Sequence, residues 1–166
     1  MKNIDKILIP SGPTDRIDIQ RAEGLINLFG KDSKYVILGV GPNIYEALEH
    51  SKNGKHIPKD LDHHLSLHNF VVDKIGENNV ELITKSTTAV QNLFEFFKNE
   101  RKGGYIIGSD SWQLSKYKRI FNVLQKKNKI SKEVTLGYAP LQTDKYYNFI
   151  QKIASRIKTE KELMKI

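Results

Sequence analysis

Apolar positions along this chain fall into five short runs, separated by longer stretches in which apolar residues recur at helical spacing. "KILIPSG" (6–12) reads as a strand, and Ile17, Ala22, Leu25, Ile26 and Phe29 then place an inward stripe on a helix over Asp15 to Phe29. "YVILG" (35–39) is the second strand, with Pro42 suited to the first turn of a helix reaching His50. A breaker-rich loop (51–60) leads to a helical stripe of Leu61, Leu65, Val72 and Ile75 within 61–75. "NVELIT" (79–84) is the third strand, before a helix from Thr87 to Glu100. "GYIIGS" (104–109) is the fourth, before a helix from Ser111 to Lys127. "VTLGYA" (134–139) is the fifth, before a last helix from Asp144 to Leu163.

Strand followed by helix, repeated in this way, predicts parallel strands joined by crossover helices packed on both faces of one sheet. The expected fold is α/β, a doubly wound three-layer α/β/α sandwich on a mainly parallel five-stranded sheet. With 166 residues and neither a repeat nor a composition shift, the chain reads as one domain over 1–166.

This architecture directs attention to the strand ends, because open parallel sheets bind ligands beyond the carboxyl ends of their strands. The loops there are "SGPTD" (11–15), "GVGPN" (39–43), "TKSTT" (84–88), "GSDSW" (108–112) and "YAPLQ" (138–142). Ser11, Gly12, Gly39, Gly41 and Ser109 bring small residues to that rim. Any fold of this kind needs helix caps at such loops, so only the clustering of small polar residues points to a ligand. Ser86, Thr87 and Thr88 make the case sharpest: capping accounts for one hydroxyl, and the others are expected to face a guest. The helix N-termini behind these loops offer free N–H groups and positive dipole ends to an anion.

Charge narrows the possible partners. The net charge is +8, and the whole excess lies between Lys98 and Lys132, where ten Lys and Arg stand against Glu100 and Asp110. A local basic face attracts phosphate ligands, nucleic acid or an anionic surface. Aromatic platforms and a known nucleic-acid motif are missing, so the nucleic-acid reading ranks third. No cysteine is present, which excludes disulfides, cysteine nucleophiles and thiolate metal sites. No run is long enough to span a bilayer, and Met1 to Pro10 has no signal core, so a soluble cytoplasmic protein with no membrane partner is expected.

Several chemistries can be weighed directly. Ser11-Gly12-Pro13-Thr14 lacks the spacing of a dinucleotide glycine triplet, and there is no Walker lysine. His63, His64 and His68 invite a metal, with Asp60 or Asp62 as further ligands, but nothing brings a complete set together, and no metal is expected. No nucleophile elbow is visible, so Ser11, Ser86 and Ser109 read as hydrogen-bond donors. Ile150, Ile153, Ile157 and Leu163 amid lysines have the look of a membrane-surface helix. The need for a helix to cover the sheet is the preferred account.

The ordered strand-end motifs resemble the YdcF-like (SanA/ElyC/YdcF) family from about Lys6 to Phe121. The matching pieces are Ser11-Gly12, Arg21-Ala22, Gly39-Val40-Gly41 and Glu46-Ala47. The family's Ser-Thr-Asn-Thr-x-Glu-Asn stretch corresponds to Ser86-Thr87-Thr88-Ala89-Val90-Gln91-Asn92, and its Asp-x-aromatic-His-x-x-Arg stretch to Asp110-Ser111-Trp112-Gln113-Leu114-Ser115-Lys116. The resemblance implies a Rossmann-like sandwich with a pocket for a nucleotide- or adenosyl-type molecule such as S-adenosylmethionine. It adds Asn92, Asp110, Trp112, Gln113 and Lys116 to the expected site, with Trp112 as a stacking wall and Lys116 as a charge.

The departures bear on chemistry. Gln91, Gln113 and Lys116 replace the family's Glu, His and Arg. Glutamine keeps hydrogen-bonding reach without ionising, and lysine keeps charge without the bidentate fork. Binding is therefore the leading expectation, with hydrolase or transferase action on a phosphate-bearing small molecule as the alternative and a basic nucleic-acid or partner-binding module after it. The identity of the ligand and the oligomeric state stay open at this stage, including a dimer through 61–75.

Overall fold

The computed structural model describes residues 3–12, 14–40, 44–57, 59–84 and 88–166, excepting the side chains of 59–63. Five strands form one parallel sheet: β1 (Lys6–Pro10), β2 (Tyr35–Leu38), β3 (Val80–Ile83), β4 (Gly103–Ser109) and β5 (Val134–Pro140). Their spatial order is β3-β2-β1-β4-β5. Leu8 is in register with Val36 on one side and Ile107 on the other, which puts β1 at the centre. The helices are α1 (Asp15–Phe29), α2 (Ile44–Lys52), α3 (Lys59–Ile75), α4 (Ala89–Phe97), α5 (Ser111–Lys126) and α6 (Phe149–Lys165).

The alternation of side chains along β1 divides the core between the two faces. Ile7 and Ile9 join Tyr35 and Ile37 under Ala22, Leu25 and Ile26 of α1 and Leu65, Leu67 and Val71 of α3. Leu8 joins Val36, Leu38 and Ile107 under Val90, Leu93 and Phe97 of α4 and Ile120, Phe121 and Leu124 of α5. Full burial of one such side chain contributes about 1.5–3 kcal/mol. The central strands are apolar on both faces because helices cover both. After β1 the chain turns to one face and after β4 to the other, so a crevice opens between these neighbouring strand ends.

The elements differ from the sequence-based expectation in informative places. β1 ends at Pro10, whose carbonyl accepts from Arg21 Nη1 at 3.1 Å. On α3 the inward residue is Val71, with Val72 only partly buried, and Leu67 joins Leu65 and Ile75 in the core. Pro42 lies outside the described residues, as does the side chain of Leu61.

The largest difference is at the C-terminal end. Residues 141–148 are not helical, and α6 begins at Phe149 behind a reciprocal cap in which Asn148 Oδ1 accepts from Gln151 N at 2.9 Å and Gln151 Oε1 from Asn148 N at 2.9 Å. The 141–148 segment is tied to the domain by Leu141 N donating to Ser109 O (2.8 Å) and by an Arg16–Asp144 ion pair (2.7 Å). Among the described residues of α6 only Thr159 and Leu163 are buried. Ile150, Ile153 and Ile157 face outward, so the expectation that they cover the sheet does not hold. Among the described residues, no helix is long and apolar enough to cross a membrane.

Candidate functional site

At the end of β1 the chain places a buried guanidinium. Arg21, one turn along α1 from Asp18, is 1% exposed and Asp18 is fully buried. Arg21 Nη1 lies 3.5 Å from Asp18 Oδ1 and Arg21 Nη2 3.6 Å from Asp110 Oδ2. Asp18 Oδ1 also accepts from the Gly12 N–H, and the Tyr146 hydroxyl accepts from Arg21 Nη2. Tyr146 in turn donates to Asp110 Oδ2 at 2.6 Å. Breaking a buried pair of this kind costs about 3–5 kcal/mol, because a charge is left without its partner. Gly12 is required beside it, since a Cβ there would run into the guanidinium.

Above this knot lies a cavity of about 580 Å³. Its floor is Ser11, Gly12 and Gly39, at the ends of β1 and β2. One wall is the start of α4, with Thr88, Ala89 and Asn92, and another is Gln113, Lys116 and Tyr117 of α5. Tyr147 and α6 close it, with Gln151, Ser155, Lys158 and Glu162 facing in. Gly39 has φ +81°, and a Cβ on it would come within 2.8 Å of Asn92 Nδ2 and 2.9 Å of Ser11 Oγ. Only glycine meets both demands.

Electrostatics within the site follow from burial. Desolvation pushes the Asp18 carboxyl up to about 7, outweighing the pull of Arg21 and of the Gly12 N–H. Desolvation lowers Lys116 to about 8, and the Arg21 charge adds to the effect. Burial raises the Tyr117 hydroxyl to about 12. Two side chains in the wall are amides with an unmet requirement: Asn92 and Gln113 are 6% and 5% exposed. Their carbonyl oxygens Oδ1 and Oε1 have no hydrogen-bond partner.

Of the residues predicted to form the site, Ser11, Gly12, Gly39, Thr88, Asn92, Gln113 and Lys116 line this one cavity. Gly41, Ser86 and Thr87 lie outside the described residues. Ser109 is fully buried and not in the wall. Asp110 caps α5, accepting from Gln113 N at 3.1 Å, and its other oxygen is engaged by Tyr146. Trp112 lines a neighbouring recess of about 330 Å³ instead, where it packs on Tyr147 with ring centroids 5.1 Å apart. Lys116 and Lys152 hold their ammonium groups 5.2 and 5.8 Å from the Trp112 ring. Thr88 accepts from Gln91 N at 3.3 Å, so it caps α4 while also facing the cavity.

Among the described residues no group of three metal-ligating side chains converges. His64 lines the cavity, His68 Nδ1 lies 3.4 Å from Asn69 Oδ1, and the side chain of His63 is outside the described set. Asp18, Tyr146, Tyr147, Lys158 and Glu162 were not anticipated. Asp18 and Arg21 do carry a signal, since they interrupt the inward stripe of α1 between Ile17 and Ala22 at i,i+3 spacing. The two tyrosines carry no such signal, because the spacing of the last segment extends a helix through 144–148, which is not helical. No family model matches the chain, and neither a curated protein nor a solved structure matches it.

Proposed function

We propose that this chain binds a small molecule of nucleotide or adenosyl type in the 580 Å³ cavity, with donor groups on its sugar or amine and an anionic group elsewhere. The reading rests on Asn92 and Gln113. A buried acceptor left without a donor costs about 1–3 kcal/mol, a cost that a ligand hydroxyl or amine relieves. Both residues line the one cavity at the strand ends, where an open parallel sheet binds its ligand. Lys116 and Lys158 supply positive charge for a phosphate or carboxylate, and Glu162 supplies an anionic counterpart for an amine. The volume lies within the range of small-ligand pockets. The resemblance to the YdcF-like family favours the same class, S-adenosylmethionine included.

A transferase or hydrolase reading draws on Lys116, whose lowered pKa of about 8 leaves a neutral fraction able to take a proton. Gln91 is exposed and Gln113 cannot ionise, so binding without turnover is the stronger reading. A nucleic-acid role draws on the basic segment, but Lys98 is paired with Glu95 and Arg119 with Glu160, which thins the free charge. Thermal-shift titration with S-adenosylmethionine, nucleoside monophosphates and sugar phosphates tests the proposal. A true ligand at a hundred times its Kd adds about 2.7 kcal/mol of apparent stability. Stabilisation by none of the three classes would reject the reading.

A further inference from the structure

α6 presents three different faces. One, with Gln151, Ser155, Lys158 and Glu162, lines the cavity, and a second, with Thr159 and Leu163, is buried. The third has no partner among the described residues. It exposes Phe149 and Ile150 (76% each), Ile153, Ile157 and Met164 (73%). At 3.6 residues per turn these five fall within an arc of about 100°. Glu160 is the one carboxylate inside that arc, and Arg119 holds it at 2.9 and 3.2 Å. Arg156 borders the stripe on one side and Lys161 and Lys165 on the other, all exposed.

We propose that this face of α6 docks the protein on an anionic lipid surface. The helix lies in the interfacial plane, with Ile150, Ile153, Ile157 and Met164 at the acyl boundary and Arg156, Lys161 and Lys165 against the head groups. An apolar stripe bordered by cations on both sides is complementary to an anionic bilayer, which supplies hydrocarbon below and negative charge at the rim. A second copy supplies the hydrocarbon but the wrong charge. It would bring the five Lys and Arg of one α6, set against two Glu, onto the same surplus in a chain of net charge +8.

Flotation with phosphatidylcholine vesicles and with vesicles containing phosphatidylglycerol tests the proposal. The full chain is expected to float with the anionic vesicles, to float poorly with the neutral ones, and to be released as salt is raised. Ile153→Ser with Ile157→Ser is expected to weaken partitioning by about tenfold or more, given the apolar area lost. Lys161→Glu with Lys165→Glu is expected to weaken it by about fivefold or more per position. All four side chains are exposed, so circular dichroism should be unchanged in both variants. Failure of the parent to bind anionic vesicles overturns the proposal, as does binding that survives the isoleucine changes. A dimer in ultracentrifugation that the isoleucine changes dissolve, without vesicle binding, assigns the face to a second copy and also overturns it.

Discussion

The hydroxyl of Tyr146 donates to Asp110 Oδ2 at 2.6 Å, joining a loop that precedes the last helix to the cap of α5. The phenol oxygen itself accepts from Arg21 Nη2, so one tyrosine closes the knot beneath the cavity. Tyr146→Phe leaves the ring in place and strips a buried guanidinium and a carboxylate of a shared partner. Urea unfolding is expected to show a loss of about 1–3 kcal/mol. An unchanged midpoint would mean that the 141–148 segment is held without this bond.

Asp18 makes stability depend on pH in an unusual direction. Its folded pKa, raised to about 7 from the ordinary 3.8, means that the folded chain holds a proton that the unfolded chain releases. Its contribution is complete below pH 3.8 and is lost as pH rises towards about 7 and beyond. Asp18→Asn keeps an acceptor for the Gly12 N–H and cannot ionise. Its stability profile is expected to be flatter than that of the parent between these limits, measured by denaturant titration at each pH. Two parallel profiles would assign the titration to another group.

Lys116 has opposite consequences for the empty and occupied protein. Its pKa is lowered to about 8 from 10.5, so the empty protein gains stability from this group as pH rises between those values. An anionic ligand loses a charged partner over the same interval and should bind more weakly. Calorimetric titration across this range is expected to show affinity falling in the parent and staying flatter in Lys116→Met. Affinity that falls equally in both would remove Lys116 from the binding machinery.

Gly39 carries the cavity floor. Gly39→Ala forces a side chain onto a φ of +81° and into Asn92 and Ser11. The backbone conformation alone costs about 1–2 kcal/mol. Displacement of Asn92 should weaken ligand affinity as well, whereas Gly30→Ala, with a similar φ of +84° and open space around it, should cost stability alone. Equal losses of affinity in the two variants would detach Gly39 from the site.

The layered α/β fold was legible because short apolar runs alternate with helical apolar patterns, as in "YVIL" before α2 and "VELI" before α4. The starts of α1 at Asp15 and α5 at Ser111 were legible too, but that of the last helix was not. The helical pattern of the last segment continues back through Lys145 and Tyr146, and only the Asn148–Gln151 pairing shows where α6 begins. Its three-faced character was not legible either, because Ile150, Ile153 and Ile157 have the spacing of an inward stripe and periodicity does not say which side of a helix meets the sheet. At the site, the small residues of the strand ends were readable from topology. The Asp18–Arg21–Asp110–Tyr146 cluster was not, because its Arg21–Tyr146 bond joins residues 125 positions apart.

Ligand recognition centres on the two amides of the cavity wall. Asn92→Leu removes an acceptor that is unpartnered in the empty protein, so the ligand-free variant should unfold at no lower denaturant than the parent, whereas Gln113→Leu also removes an amide hydrogen bond to the Tyr146 hydroxyl and should cost about 1 kcal/mol. Isothermal titration of each variant with whichever of the three ligand classes stabilises the parent should show affinity lowered about tenfold or more per amide. Parent-like affinity in both leucine variants would contradict the assignment of this cavity as the receptor.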